Sequence, residues 1–244
     1  MLTRTEGIVL RTFPYGEADL LVTYLTRDLG VKKAFAKSPR KVGSRFGGSL
    51  EPFTHATISL LGREDAPLPR LTQSDIIRSY QELREDYRTL LGLSGMAELT
   101  LNFLHEGARS PGAFQLLVHA LGMMASGSGT MGPLVYQVRF LRLMGYAPRL
   151  TACARCGGRG RLFHRSQGAV VCGGCARSMG LREEEGLDLS EGSRRLYHTL
   201  GTWELEKTAR VNAPGGLVSE LALVLNSHVE HTLARRLRTA PVFP

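Results

Sequence analysis

The sequence predicts a multi-domain α+β protein: a small N-terminal β-barrel, then a helical domain in which a four-cysteine zinc module is embedded. Three observations carry this expectation. Residues 1–80 hold short, partly alternating runs rich in Val, Leu, Tyr and Phe, separated by turn signals. From residue 81 onward, apolar residues recur at helical spacing. All four cysteines of the 244-residue chain fall between positions 153 and 175, and this cluster interrupts the helical pattern. The expected domains are therefore 1–80, then 81–149 together with 181–244, with 150–180 as the insert. A hydrophobic fraction of 43% supports packed cores rather than disorder.

In the first domain the expected strands are Gly7–Arg11, Asp19–Thr26, Val31–Ala36, Thr54–Leu61 and Leu71–Tyr80. Pro14–Gly16 and Asp28–Gly30 supply the first two turns. Five strands in a region this short fit the size of an OB-fold, which periodicity alone does not name. In the helical domain, Leu83, Tyr87, Leu90, Leu91 and Ser94 trace one stripe, and Met96, Leu99, Leu101, Phe103 and Leu104 extend the apolar content after Gly95. Ser110 and Pro111 read as an N-cap followed by proline at the first helical position. The helix they open should stop at Ser126–Thr130, a flexible loop. Gly132–Met144 forms another helix, ended by Gly145. Beyond the insert, Ser190 and Glu191 open a helix through Leu196 and Leu200. The last helix is expected over Leu217–Arg238. Leu217, Leu221, Val224, Leu225, His228 and Thr232 share its face, and Arg235, Arg236 and Arg238 stand at its negative pole.

The insert reads CARCGGRGRLFHRSQGAVVCGGC, so fifteen residues separate the pair Cys153 and Cys156 from the pair Cys172 and Cys175. In a reducing compartment such clustering favours a metal over disulfides. Four thiolates close a tetrahedral zinc shell and leave no position for water, so one structural zinc is expected. Gly157 should adopt a positive φ that lets backbone N–H groups approach the sulfurs. Gly173 and Gly174 should give the second turn similar freedom. Arg161–Val171 should form a hairpin turning at Ser166–Gly168. His164 finds no vacancy among the ligands and is expected at the surface.

Net charge is +9 and the sequence pI is about 9.8, a balance that attracts polyanions. Two stretches concentrate it. Val31–Leu50 carries Lys32, Lys33, Lys37, Arg40, Lys41 and Arg45 without an acidic residue. Phe35 follows the strand alternation and is expected in the barrel core, which leaves Phe46 as the ring on which a base could stack. The second stretch is the zinc module, with Arg149, Arg155, Arg159, Arg161, Arg165 and Arg177 in or beside it and no acid from Leu150 to Gly180. Crowded like charges repel unless an anion lies among them. The expected nucleic-acid contacts are the six cations of the first stretch, Phe46, and Arg155, Arg159, Arg161 and Arg165.

The N-terminal run EGIVLRTFPYGEADLLVTYLTRDLGVKKAFAKSPRK resembles the start of the bacterial recombination mediator RecO family. FLRLMGYAPRLTACARCGG, followed by CGGC, resembles that family's later hallmark. The resemblance implies an N-terminal OB-fold, a helical domain and an embedded zinc module. It further implies binding of single- and double-stranded DNA and annealing of complementary strands. The implied partners are RecR and the C-terminal tail of single-strand DNA-binding protein, so that RecA is loaded during repair. Two departures stand out. Ser38-Pro39 replaces the family's small, Gly-containing step, which leaves the path of the basic loop open. Gln167 precedes Gly168 where the family has a Gly pair, which does not threaten the zinc.

No Walker A motif is present, because SGSGTMG lacks the Gly-Lys-Ser/Thr end that holds phosphates. HExxH, GxSxG and HRD motifs are absent too, which agrees with a mediator rather than an enzyme. His228 and His231 flank Glu230 and are read as ordinary helix residues. No run approaches the ~18 apolar residues of a membrane span. Arg4 and Glu6 stand where a signal peptide needs apolar residues, so a cytoplasmic, nucleoid-associated protein is expected. Two other readings are an RNA- or ribosome-binding OB/zinc protein, which competition between DNA and RNA separates, and a nucleic-acid enzyme with a structural zinc clip, which a turnover assay separates.

Overall fold

The computed structural model describes residues 1–41, 43–63, 66–127 and 131–239. Strands β1 (Leu2–Tyr15), β2 (Asp19–Thr26), β3 (Gly30–Ala36), β4 (His55–Leu61) and β5 (Arg70–Arg78) close a barrel in the order β1-β2-β3-β5-β4. Neighbours are antiparallel except β3 and β5. This closed five-stranded barrel is OB-like. β1 runs well past the expected Gly7–Arg11 because its two ends serve different neighbours. Leu2–Ile8 pair with β4 and Gly7–Tyr15 with β2, and a bulge between Val9 and Arg11 bends the strand between them.

Alternation decides what fills the barrel. Val9, Val22, Tyr24, Ala34, Ala36 and Ile58 belong to its interior, joined by Phe46 and Leu50 from the turn that follows β3. The outward residues Ile8, Leu10, Leu25 and Val31 pack with the helical core instead. Two expectations about rings are reversed here. The inward positions of β3 are Ala34 and Ala36, so Phe35 faces outward and is only half-buried. Phe46 is 3% exposed inside the barrel core and is closed to a base.

The single stripe expected after residue 81 is split between α1 (Glu82–Glu85) and α2 (Tyr87–Phe103). Asp86 separates them and caps α2, accepting from the Thr89 N–H at 2.7 Å. The buried face of α2 is Leu93, Met96, Leu99 and Thr100, whereas Tyr87, in its first turn, is exposed. Ser110 caps α3 (Pro111–Ala125) as expected, accepting from the Ala113 N–H. The expected loop's Ser128–Thr130 lies outside the described residues. α4 (Gly132–Leu143) completes the first helical group.

The insert follows with β6 (Leu162–His164), β7 (Ala169–Val171), α5 (Gly173–Ser178) and β8 (Leu187–Asp188), its sheet ordered β7-β6-β8. The remaining helices are α6 (Glu191–Thr202), α7 (Leu205–Thr208) and α8 (Gly215–Leu233). Buried bonds hold the helical core, between Thr100 and Tyr136 hydroxyls at 2.6 Å and from Gln137 to Asn226 at 2.9 Å. α8 ends before the position expected. Ala234 turns the chain with φ +52, and the Arg235 N–H returns to the Glu230 carbonyl at 3.1 Å. The three arginines therefore leave the helix.

Barrel and helices meet along the segment after α2. The Gly107 N–H donates to the Val31 carbonyl at 2.9 Å. Gly30, with φ +70, passes so close that a Cβ would lie 2.1 Å from the Ala108 carbonyl oxygen, so only glycine fits. No helix among the described residues is long and apolar enough to cross a membrane.

Candidate metal centre and nucleic-acid interface

The first cysteine pair is built as a knuckle. Gly157 takes φ +72, as its position after Cys156 predicts, and its N–H donates to the Cys153 carbonyl at 2.9 Å. The second pair is built differently. Cys172 is the N-cap of α5 and Cys175 lies within that helix, so helical curvature supplies what glycine freedom was expected to supply. Neither Gly173 nor Gly174 has a positive φ.

The four sulfurs all lie within 4.8 Å of one another, and Cys156 and Cys172 are 3.7 Å apart. A tetrahedron with Zn–S near ~2.3 Å has edges of about 3.8 Å. The donor set is thus compatible with a structural zinc. The N–H groups of Cys156, Cys172 and Arg155 aim at the Cys153 sulfur and push its thiol down to about 6. The Cys175 N–H lowers Cys172 in the same way. Cys175 is pushed up to about 12, first by its bond with the Cys172 sulfur and then by burial. Neighbouring thiolates repel one another, and a divalent cation at their centre would remove that cost.

His164 is 1% exposed, not at the surface. The two-stranded hairpin forms where expected, but β8 adds a third strand beside β6, and the chain at Gly186 closes over the imidazole. β8 lies beyond residue 180, outside the window read as the module. Phe163 of this hairpin packs edge-on against His228 of α8 at 6.1 Å, and His228 Nε2 bonds the Tyr146 carbonyl at 2.8 Å. His228 is a packing residue here.

One of the module's arginines has a counter-charge, and it comes from outside the window. Arg161 pairs with Asp188, Nε to Oδ1 at 2.6 Å. Arg155 donates to the Ser178 hydroxyl at 2.8 Å. Arg159 and Arg165 are exposed, with no ion pair among the described residues.

The first basic stretch is arranged otherwise. Lys33 pairs with Glu106 at 3.1 Å, and Lys32 donates to the Ala66 carbonyl at 3.4 Å. Ser38 resolves the open path of the loop. It adopts φ +56, its N–H donates to Asp19 Oδ1 at 2.7 Å, and the Arg40 N–H then reaches the Ala18 carbonyl at 3.3 Å. The loop is thereby laid against the β1–β2 turn. Lys37, Arg40, Lys41 and Arg45 are exposed, and no carboxylate pairs with them among the described residues. Arg45 covers the buried Phe46 ring at 5.1 Å.

Beside this loop the outer face of β1–β3 carries rings that the sequence reading missed. Register aligns Phe13, Leu21 and Phe35 in one row and Arg11, Thr23 and Lys33 in the next. Phe13 and Tyr15 are 45% and 55% exposed. Tyr15 meets Phe35 edge-on at 5.8 Å, and the Arg11 guanidinium covers Phe13 at 4.2 Å. Aromatic rings between cations form a surface that accepts bases and phosphates together. The alternation Arg11, Phe13, Tyr15 was the available signal, but the expected strand stopped at Arg11.

The chain matches the family described as "Recombination protein O N terminal" over residues 1–80 and that described as "Recombination protein O C terminal" over 84–241. It is similar to the "DNA repair protein RecO" of Thermodesulfovibrio yellowstonii, with 36% identity over 92% of this chain and 91% of the relative. The protein of the same name from Koribacter versatilis is 33% identical over 98% and 97%. That from Nocardioides is 40% identical over 72% and 75%.

Proposed function

Because the chain belongs to the recombination protein O family of DNA repair proteins, we propose that it is a DNA-binding recombination mediator whose barrel carries the main DNA face. It binds single- and double-stranded DNA and anneals complementary strands. With RecR it helps RecA load on DNA coated with single-strand DNA-binding protein, whose acidic C-terminal tail it also engages. Its chemistry is non-covalent, and the four cysteines hold one structural zinc. The observation that carries the DNA reading is the outward row of Phe13 and the half-buried Phe35, continued by Tyr15 and flanked by Arg11 and Lys33. Rings on a rigid sheet stack bases without sequence preference, while the unpaired loop cations follow the phosphates. Lys32, Lys33, Lys37, Arg40, Lys41 and Arg45 are the proposed phosphate-tracking cations, with Arg155, Arg159, Arg161 and Arg165 as a second, weaker patch.

The test is annealing of complementary strands coated with single-strand DNA-binding protein, without nucleotide. Annealing that rises with protein concentration and needs the partner's acidic tail is the expected result. Equal affinity for RNA and DNA together with no annealing overturns the reading in favour of an RNA-binding role.

A further inference from the structure

A cavity of about 710 Å³ opens at the seam between barrel and helices. Its wall includes Leu10 and Phe53 of the barrel region and Leu90 and Leu101 of α2, and four arginines surround it: Arg11, Arg235, Arg236 and Arg238. This volume is within the range of nucleotide-sized sites. The segment that brings the last three is held by its backbone. Glu230 Oε1 accepts the Leu237 N–H at 3.0 Å, and Glu98 accepts the N–H groups of Arg238 and Thr239, each at 2.8 Å. Burial acts to raise the Glu98 carboxyl, but the bonds from Thr239 and Arg238 outweigh it and hold it below the usual range. Both carboxylates thus bond the main chain, and the three exposed guanidinium groups form no ion pair among the described residues.

Arg11 belongs to two surfaces. It lines the cavity and covers Phe13 on the barrel face. From Arg11 through Phe13 to Tyr15 the outer face leads to the β1–β2 turn, where the basic loop lies. The order along one line is cavity arginines, rings, loop cations.

We propose that Arg235, Arg236 and Arg238 extend the nucleic-acid track across the barrel–helix seam, and that the cavity beneath them receives one unstacked nucleotide of a bound single strand. This rests on the barrel face being the DNA face. An acidic peptide with an apolar side chain would meet the same arginines. The continuity through Arg11 onto exposed rings, which a peptide does not need, favours the nucleic acid.

The test uses the full chain with oligo-dT of about 6 nucleotides, within the reach of a single barrel face, and of about 18, which extends beyond it. Replacing all three arginines by glutamine should weaken the longer strand roughly tenfold and flatten its log–log salt slope by about 2, at about 0.7 per phosphate. The shorter strand should change less than about twofold. Glu98→Ala removes a negative charge, so a general field effect would tighten the longer strand. Loss of the clamp weakens it, and that is the expected sign. A 2-aminopurine moved along the longer strand should brighten at one position, and the brightening should vanish in the arginine variant. Equal loss on both lengths, tighter binding by Glu98→Ala, or an arginine variant that loses affinity for an acidic Asp-Asp-Asp-Leu-Phe peptide while its DNA affinity is unchanged each overturns the proposal. Lys37→Glu with Arg40→Glu, on the same strands, reports separately on the barrel face. If that pair has no effect while the arginine variant does, the underlying reading fails instead.

Discussion

The loop after β3 and the zinc module are both rich in cations and both free of acids within their own sequence windows, yet they differ in what surrounds them. In the module, Arg161 is matched by Asp188, and Arg194 of α6 reaches in to the Gly160 carbonyl at 2.6 Å. In the loop, Lys37, Arg40 and Lys41 face solvent beside exposed rings. The first set is tied to its own fold in part, through Arg161 and Arg155, with Arg159 and Arg165 left exposed, and the second is free for an external anion. A charge counted along the chain acquires a function only when the partners brought by the fold are counted too.

The largest contrast follows from removing the metal. Purified protein should contain one zinc per chain. Cys156→Ser should abolish that zinc and unfold the module, since structural zinc supplies ~10 kcal/mol or more to small metal-folded units. Phe163 and Val170 belong to the main core, so partial exposure of helical residues should accompany it. The barrel core is a separate cluster and should keep its hydrogen-exchange protection. Metal analysis that finds no zinc under reducing conditions would falsify the structural-zinc reading, and loss of barrel protection would break the contrast between the regions.

Two phenylalanines sharpen it next. Phe46→Ala should destabilise the barrel by ~3–5 kcal/mol as a buried large-to-small change, read by denaturant unfolding. Phe13→Ala should leave stability nearly unchanged and weaken single-strand binding by ~1–3 kcal/mol, the range for one stacked base. The opposite pattern would return the stacking role to Phe46. These rings show where sequence reasoning ended. β2 spans the expected Asp19–Thr26 because the run is rich in Leu, Val, Thr and Tyr and its turns are marked. β3 was found too, but whether Phe35 or the alanines turn inward depends on the space Tyr24 and Ile58 leave inside the barrel. That is a tertiary fact with no local signal. The cysteine spacing was legible because the ligand chemistry is local. β8, and with it the burial of His164, was not, because the strand lies past the glycine that appeared to close the module.

Lys37→Glu with Arg40→Glu should come next in size. Each reversal removes one phosphate contact and adds repulsion, so affinity for all sequences should fall ~10-fold or more and the salt slope should flatten by about 1.4. Arg159→Glu with Arg165→Glu should produce a smaller loss. Melting temperatures should hold in both, because exposed charges contribute little to stability. A larger loss from the module pair would reverse the ranking of the two patches.

The smallest effect concerns acid, and it separates the barrel seam from the zinc site. His55 is buried, bonds Glu6 Oε2 at 3.0 Å, and meets Phe114 of α3 edge-on at 5.6 Å. Burial lowers its pKa below 6.5, and the Glu6 carboxylate only partly opposes this. The folded state therefore favours the neutral ring. A group with a depressed folded pKa contributes stability that is present above its unfolded value of 6.5 and lost as pH falls through the folded value. Below 6.5 the unfolded chain binds the proton more readily, and stability should fall with a slope of at most about 1.4 kcal/mol per pH unit from this one residue. Acid would also release a zinc held by the cysteines, by protonating their thiolates, in wild type and variant alike. The measurement is thus a difference: unfolding free energies of the wild type and His55→Gln from about pH 7.5 to about pH 5.5. The variant should be less stable at the upper end, where the neutral ring packs on Phe114, and the gap should narrow toward the lower end. A gap that stays constant across the range would mean that His55 does not titrate on unfolding and that acid acts through the cysteines alone.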